Sequence, residues 1–155
     1  MAGMLTVAAY ICDRYEKDFG EKIDEMKLQK LMYFAQRESL IRSGKPLFRG
    51  TFYGWKYGPV LKDIREPYKE AQLPKVSPKD AKELAPLMDA VFAEFADKDS
   101  YSLCRLSLGE VSWKNSRKGI APAENSDNAM KMADIRRDAE RIKNHRELLS
   151  GQDPL

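Results

Sequence analysis

The sequence predicts a mainly α, compact single-domain helical bundle with a short extended or β-hairpin insert around residues 47–57. Three observations lead there. Apolar residues recur at helical spacing along most of the chain, and Gly and Pro punctuate it into pieces of helix length. Between Pro46 and Pro59 the period vanishes, and Phe48, Phe52, Tyr53, Trp55 and Tyr57 alternate with Gly50, Gly54 and Gly58.

Leu5, Ala8, Ala9, Cys12, Tyr15 and Phe19 form the stripe of a first helix, which Gly20 stops. Asp24 caps a second, with Leu28, Leu31, Met32, Ala35 and Leu40 on one face, and Gly44 and Pro46 end it. After the extended insert, Pro59 suits the first turn of a third helix, where its missing N–H costs nothing, with Val60, Leu61, Ile64 and Tyr68 inward. Ser77 opens a fourth, and Pro86 within it predicts a kink or a break, the second piece running from about Leu87 to Phe95. Ser100 caps a short helix through Leu103 and Leu106, and a further turn surrounds Trp113. A last helix is expected from about Ser126 to Leu149, with Ile135, Ala139 and Ile142 buried. Residues 1–150 thus read as one domain and 151–155 as a loose tail.

A chain of 155 residues buries roughly 70% of its unfolded surface without a disulfide or a structural metal. With 43% hydrophobic and 33% charged residues it is too apolar for disorder and too charged for a membrane protein. Cys12 and Cys104 lie apart among apolar residues, as reduced thiols do, and no basic leader precedes the apolar start, so a cytoplasmic protein is expected. A single His and two distant Cys cannot form a zinc cluster, and there is no phosphate-binding motif. No cofactor, metal or catalytic residue is assigned.

The net charge of +3 conceals a polarity: Lys27–Arg65 holds nine basic residues and two acidic ones, hence +7 against −4 elsewhere. Such a segment attracts nucleic acid or an acidic protein surface, unless its side chains only solvate helix faces. The sequence pI near 8.8 is weak support for a dedicated DNA binder.

Three strings carry more specific information: Leu28-Gln29-Lys30-Leu31-Met32-Tyr33-Phe34-Ala35-Gln36, then Gly44-Lys45-Pro46-Leu47-Phe48, then Trp55-Lys56-Tyr57-Gly58-Pro59-Val60. In this order and spacing they resemble the Panacea domain family of SocA-like antitoxins, formerly grouped with phage-associated proteins. The likeness is strong over about the first seventy residues and weaker beyond, where Leu103, Leu106 and Trp113 echo the family's second half. Family members often carry a His between that Leu and that Trp. Here Leu108-Gly109-Glu110 stands in the region, so no role of that His carries over.

The resemblance implies a bacterial or prophage antitoxin that binds and blocks a cognate toxin protein encoded beside it. Some relatives instead act as adaptors that deliver a toxin to an energy-dependent protease, and antitoxins commonly repress their own operator DNA. No membrane partner is implied. An enzyme using carboxylates such as Glu25 and Asp63 is the third reading, but no nucleophile, base and orienting partner converge.

Among the matched residues, Lys30, Gln36, Gly58 and Pro59 count as structural. Gln29, costly if buried alone, should bond backbone groups of the insert, and Tyr33 should pack its ring while its hydroxyl finds a partner. The expected partner-binding set is Arg49, Tyr53, Trp55, Lys56, Tyr57, Trp113 and Arg117, since aromatics beside cations are what interface centres use. The competing reading places Trp55 and Tyr57 together in the core, leaving Tyr53 and Lys56 as the surface pair. Trp113, beside Lys114, Arg117 and Lys118, either anchors a partner or packs in the core.

Overall fold

The computed structural model describes residues 1–151, so all of the tail expected at 151–155 except Gly151 lies outside them. In chain order it contains α1 (Met4–Phe19), α2 (Glu25–Ser43), β1 (Phe52–Trp55), β2 (Gly58–Leu61), α3 (Arg65–Lys69), α4 (Pro78–Val91), α5 (Ser100–Leu108), α6 (Val111–Ser116) and α7 (Met132–Ser150). The fold is mainly α with one small antiparallel hairpin.

The centre of the fold is α2. Asp24 caps it by accepting from the Lys27 amide at 2.8 Å, and Gly44 ends it in the left-handed conformation at φ 72°. Every residue from Lys27 to Ile41 is buried, because α1, α4, α5, α7 and β2 surround the helix. The single apolar stripe expected from the sequence is therefore the wrong description of it. Phe34 stacks on Phe95 with ring centroids 4.1 Å apart, and Tyr33 meets Phe52 edge-on at 5.5 Å, so the rings of α2 tie the end of α4 and the hairpin to one core.

Four local expectations are corrected. Gly58-Pro59 opens a strand, not a helix: β2 pairs with β1 in the register Phe52↔Leu61 to Trp55↔Gly58, and helix is deferred to Arg65 after a 3₁₀ turn at Lys62–Ile64. Proline is tolerated there because a two-stranded hairpin consists of edges. Of the kink or break expected at Pro86, the break is absent, and α4 runs through it as one helix. The carbonyl it leaves without a donor is that of Lys82, an exposed residue, so water can satisfy it. A π turn at Phe92–Ala96 then extends the helix and buries both Phe92 and Phe95.

The α5 cap is Asp99, which accepts from the Ser102 amide at 2.7 Å, while Ser100 Oγ donates to the Asp24 carboxylate and joins the starts of α2 and α5. Finally, α7 begins at Met132 and not near Ser126. The preceding residues are held by β1 instead: Gly54 N–H donates to Asn128 O at 2.9 Å and Met130 N–H to Phe52 O at 2.8 Å. Tertiary pairing overrides the local helical pattern there.

Candidate functional site

Two glutamines of α2 fix the chain that follows it. The Gln29 carboxamide donates to Leu61 O at 3.1 Å and accepts from Leu61 N–H at 2.8 Å. Gln36 does the same two turns further along that helix face, donating to Phe48 O at 2.9 Å and accepting from Leu47 N–H at 2.8 Å. Each amide thus replaces a missing neighbouring strand, and the pair holds both ends of the segment that carries the hairpin.

From the other side α6 clamps the hairpin. Trp113 Nε1–H donates to Trp55 O at 2.8 Å, and the Arg117 guanidinium donates to Gly54 O at 3.0 Å and to the carbonyls of Ala121 and Glu124. A side chain on Gly54 would collide with Ser116, so the close approach of β1 to α6 requires glycine. Gly58, at φ 111°, has no room for a Cβ either, with Ser107 Oγ and Lys30 Cε in the way.

This framework sets out the tip of the hairpin. Strand alternation ends at Trp55, because Lys56 and Tyr57 form the turn, so Tyr57 is 57% exposed and does not share a core-facing side with Trp55. The half-buried Trp55 lies under the Arg65 guanidinium, 5.0 Å from the ring centroid, and donates through Nε1–H to Asp127 at 3.1 Å. Tyr53 carries the Lys62 ammonium 4.2 Å over its ring, and Lys62 also pairs with Asp127 at 3.0 Å. The Lys56 amide donates to Asn125 Oδ1 at 3.0 Å, and its ammonium lies over Tyr57.

Between the start of α2 and this turn lies a cavity of about 280 Å³ whose walls include Met26, Trp55, Tyr57 and Val60. Lys30, only 2% exposed, reaches the cavity from α2 and donates to Pro59 O at 3.2 Å. Burial pulls its ammonium down to about 8, although Cys104, Glu25 and Asp24 each draw it back up. Glu25 also lines the cavity. One carboxylate oxygen lies 3.5 Å from Arg65, and the other is buried with no partner among the described residues.

A second polar cluster is closed to solvent. Tyr33 Oη lies 2.9 Å from Glu110 and 3.1 Å from Asp138, its one proton within reach of either carboxylate, with Ser112 Oγ at 3.2 Å. Burial, with the two carboxylates, holds the Tyr33 phenol well above its usual range, so it stays a donor. Arg37 pairs with Glu110 at 2.7 Å. Burial nonetheless raises the Glu110 carboxyl, with Asp138 adding to the effect and Arg37 opposing it. Asp138 is fully buried and accepts from the Val111 and Ser112 amides, so α7 supplies the cap of α6. Asp134, one turn earlier on α7, instead pairs with Arg137 at 3.2 Å.

The partner-binding candidates do not all gather. Trp55, Lys56 and Tyr57 form one patch with Arg65 and Met26, and Tyr53 adjoins it through Lys62. Arg49 is exposed in the loop before β1 and makes no ion pair with a described residue. Trp113 is half-buried against the hairpin, and Arg117 is buried with its guanidinium on backbone carbonyls. The cationic segment is also thinner at the surface than its +7 implies, since Lys27, Lys30 and Arg37 are buried. Sequence reasoning missed Met26, Asn125 and Asp127, named Glu25 only as a carboxylate of the enzyme reading, and named Arg65 only as the end of the cationic segment. Of these, Asn125 and Asp127 had no legible signal, because a loop some seventy residues away supplies them.

Among the described residues no three His, Cys, Asp or Glu side chains stand where they could hold a metal ion, and no helix is long and apolar enough to cross a membrane. Cys12 and Cys104 are both free thiols.

The helical body thus presents an aromatic and cationic hairpin tip and keeps the Tyr33, Glu110 and Asp138 cluster buried inside. Residues 28–114, more than half of the chain, match the family described as "Antitoxin SocA-like, Panacea domain", and the chain belongs to that family. A curated relative, "Antitoxin SocA" of Caulobacter vibrioides (strain NA1000 / CB15N), is 50% identical over 38 residues, which is 24% of this chain and 20% of the relative. The match therefore spans about a fifth of that relative's length. No solved structure matches the chain.

Proposed function

We propose that the protein is an antitoxin that neutralises a co-encoded toxin by direct protein–protein binding, with the hairpin tip at the centre of the contact. Membership of the SocA-like family carries this reading. The tip supports it: Trp55, Lys56, Tyr57 and Arg65 combine exposed aromatic area with positive charge around a concavity, on a segment held rigidly from α2 and α6. Arg49 and Tyr53 extend the contact, whereas Trp113 and Arg117 act in it by positioning the hairpin. In this reading both partners are cytoplasmic, and no catalytic step is involved.

The test is co-expression with the protein encoded by the adjacent open reading frame. Rescue of growth together with a stoichiometric complex on gel filtration is the expected result. Rescue without a stable complex, and only in cells that retain their energy-dependent proteases, would replace blocking by delivery to proteolysis. A promoter gel shift at physiological salt addresses operator DNA separately.

A further inference from the structure

The cavity beneath the hairpin tip is more particular than a sticky surface. Met26, Trp55, Tyr57 and Val60 supply apolar wall, and two of the other lining residues carry incompletely matched polar groups. Lys30 Nζ has one acceptor, Pro59 O, for its three N–H donors, and one oxygen of Glu25 has no donor. Buried polar groups are ordinarily paired, so an ammonium and a carboxylate oxygen left short in one cavity mark the outline of a ligand. Lys30, Lys56 and Arg65 against Glu25 also leave the cavity lining with an excess of two positive charges, which favours an anion.

We infer that this cavity receives the C-terminal residue of the partner protein, its terminal carboxylate on Lys30 Nζ, its amide N–H on the free oxygen of Glu25, and an apolar side chain against Trp55, Tyr57 and Val60. The inference rests on the proposed antitoxin role and adds the chemistry by which the partner is recognised. An internal peptide carbonyl would use the same donor but leave the positive charge unmatched. A chain terminus supplies the negative charge, the N–H and the side chain from one residue, and charge-assisted hydrogen bonds of this type are about twice as strong as neutral ones.

The probes are Ac-Ala-Ala-Leu with a free carboxylate and the same peptide amidated, titrated into the full chain while the Trp55 indole N–H signal is followed by NMR. The free acid is expected to shift that signal saturably, and amidation to weaken binding roughly tenfold or more. Tyr57→Ala, at an exposed turn position, should weaken the free acid as well, which keeps the test meaningful if Lys30→Met fails to fold. Equal binding of acid and amide, or no binding of either, overturns the inference. With the toxin itself, removal of its last residue should weaken the complex by a similar factor. A complex indifferent to that truncation overturns this inference and leaves the antitoxin reading standing, while failure of the intact toxin to bind at all counts against that reading.

Discussion

The side-chain amide of Gln29 and the peptide group of Leu61, 32 residues apart, exchange two hydrogen bonds of 3.1 and 2.8 Å in the buried centre of the protein. β2 has no third strand beside it, and Gln29, together with Lys30 on Pro59 O, takes that place. Gln29→Leu keeps the volume but strips both partners from Leu61. It should cost about 2–6 kcal/mol, the sum for two buried backbone groups left unpaired. Urea unfolding measures the loss, and accelerated amide exchange at Leu61 localises it.

Gly54 tests the other clamp. Gly54→Ala drives a methyl group into Ser116 on α6 and should destabilise by about 1–3 kcal/mol, the usual range for overpacking. Adding Ser116→Gly should recover part of the loss. If the double variant is no more stable than the single one, the contact between β1 and α6 is looser than the backbone approach implies.

The buried pair Arg37–Glu110 makes a sharper energetic prediction, because both side chains are about 5% exposed or less. Glu110→Ala leaves a buried guanidinium unmatched and should cost about 3–5 kcal/mol, whereas the double replacement Arg37→Met with Glu110→Leu should regain most of it. Thermal unfolding of the two variants beside the wild type decides this.

Lys30 sets a pH dependence whose sign is fixed. Its folded value of about 8 lies below the ordinary 10.5, so between those values the unfolded chain binds more protons than the native one and stability from this group rises with pH. Below pH 8 the burial penalty is fully present. At about 1.4 kcal/mol per unit, the full effect is of the order of 3 kcal/mol. Lys30→Met removes the titration, so the stability of the variant relative to wild type should fall by that order between pH 7 and pH 10.5, whatever its value at neutrality. A constant difference would contradict the burial of a titrating ammonium.

If the tip grips the toxin, Lys56→Glu should weaken the complex, and the effect should shrink as salt is raised. Lys79→Glu, exposed at the start of α4 and absent from the tip, should leave it unchanged. Surface plasmon resonance at two ionic strengths separates the two. Equal losses would mean that only overall charge matters.

The features legible in the amino-acid order alone are local or pattern-borne. Periodicity gave helices, Asp24 and Gly44 bounded α2, and the loss of period between Pro46 and Pro59 marked an insert that could not be helix. The three strings between Leu28 and Val60 carried the family. That Gln29 needed a backbone partner also followed from residue type alone, since a carboxamide inside an apolar helix cannot be left dry.

Tertiary structure decided the rest, for one physical reason: long-range hydrogen bonds and close packing outweigh propensities worth a fraction of a kcal/mol per residue. Gly58-Pro59 became a strand because Gly54 and Trp55 pair with it, and residues 128–130 joined β1 instead of starting α7. Asp138, which reads as a surface charge, became the buried cap of α6. The cavity exists only because Glu25 and Lys30 of α2, the hairpin turn and Asn125 from a distant loop meet there. No window of the sequence contains that meeting.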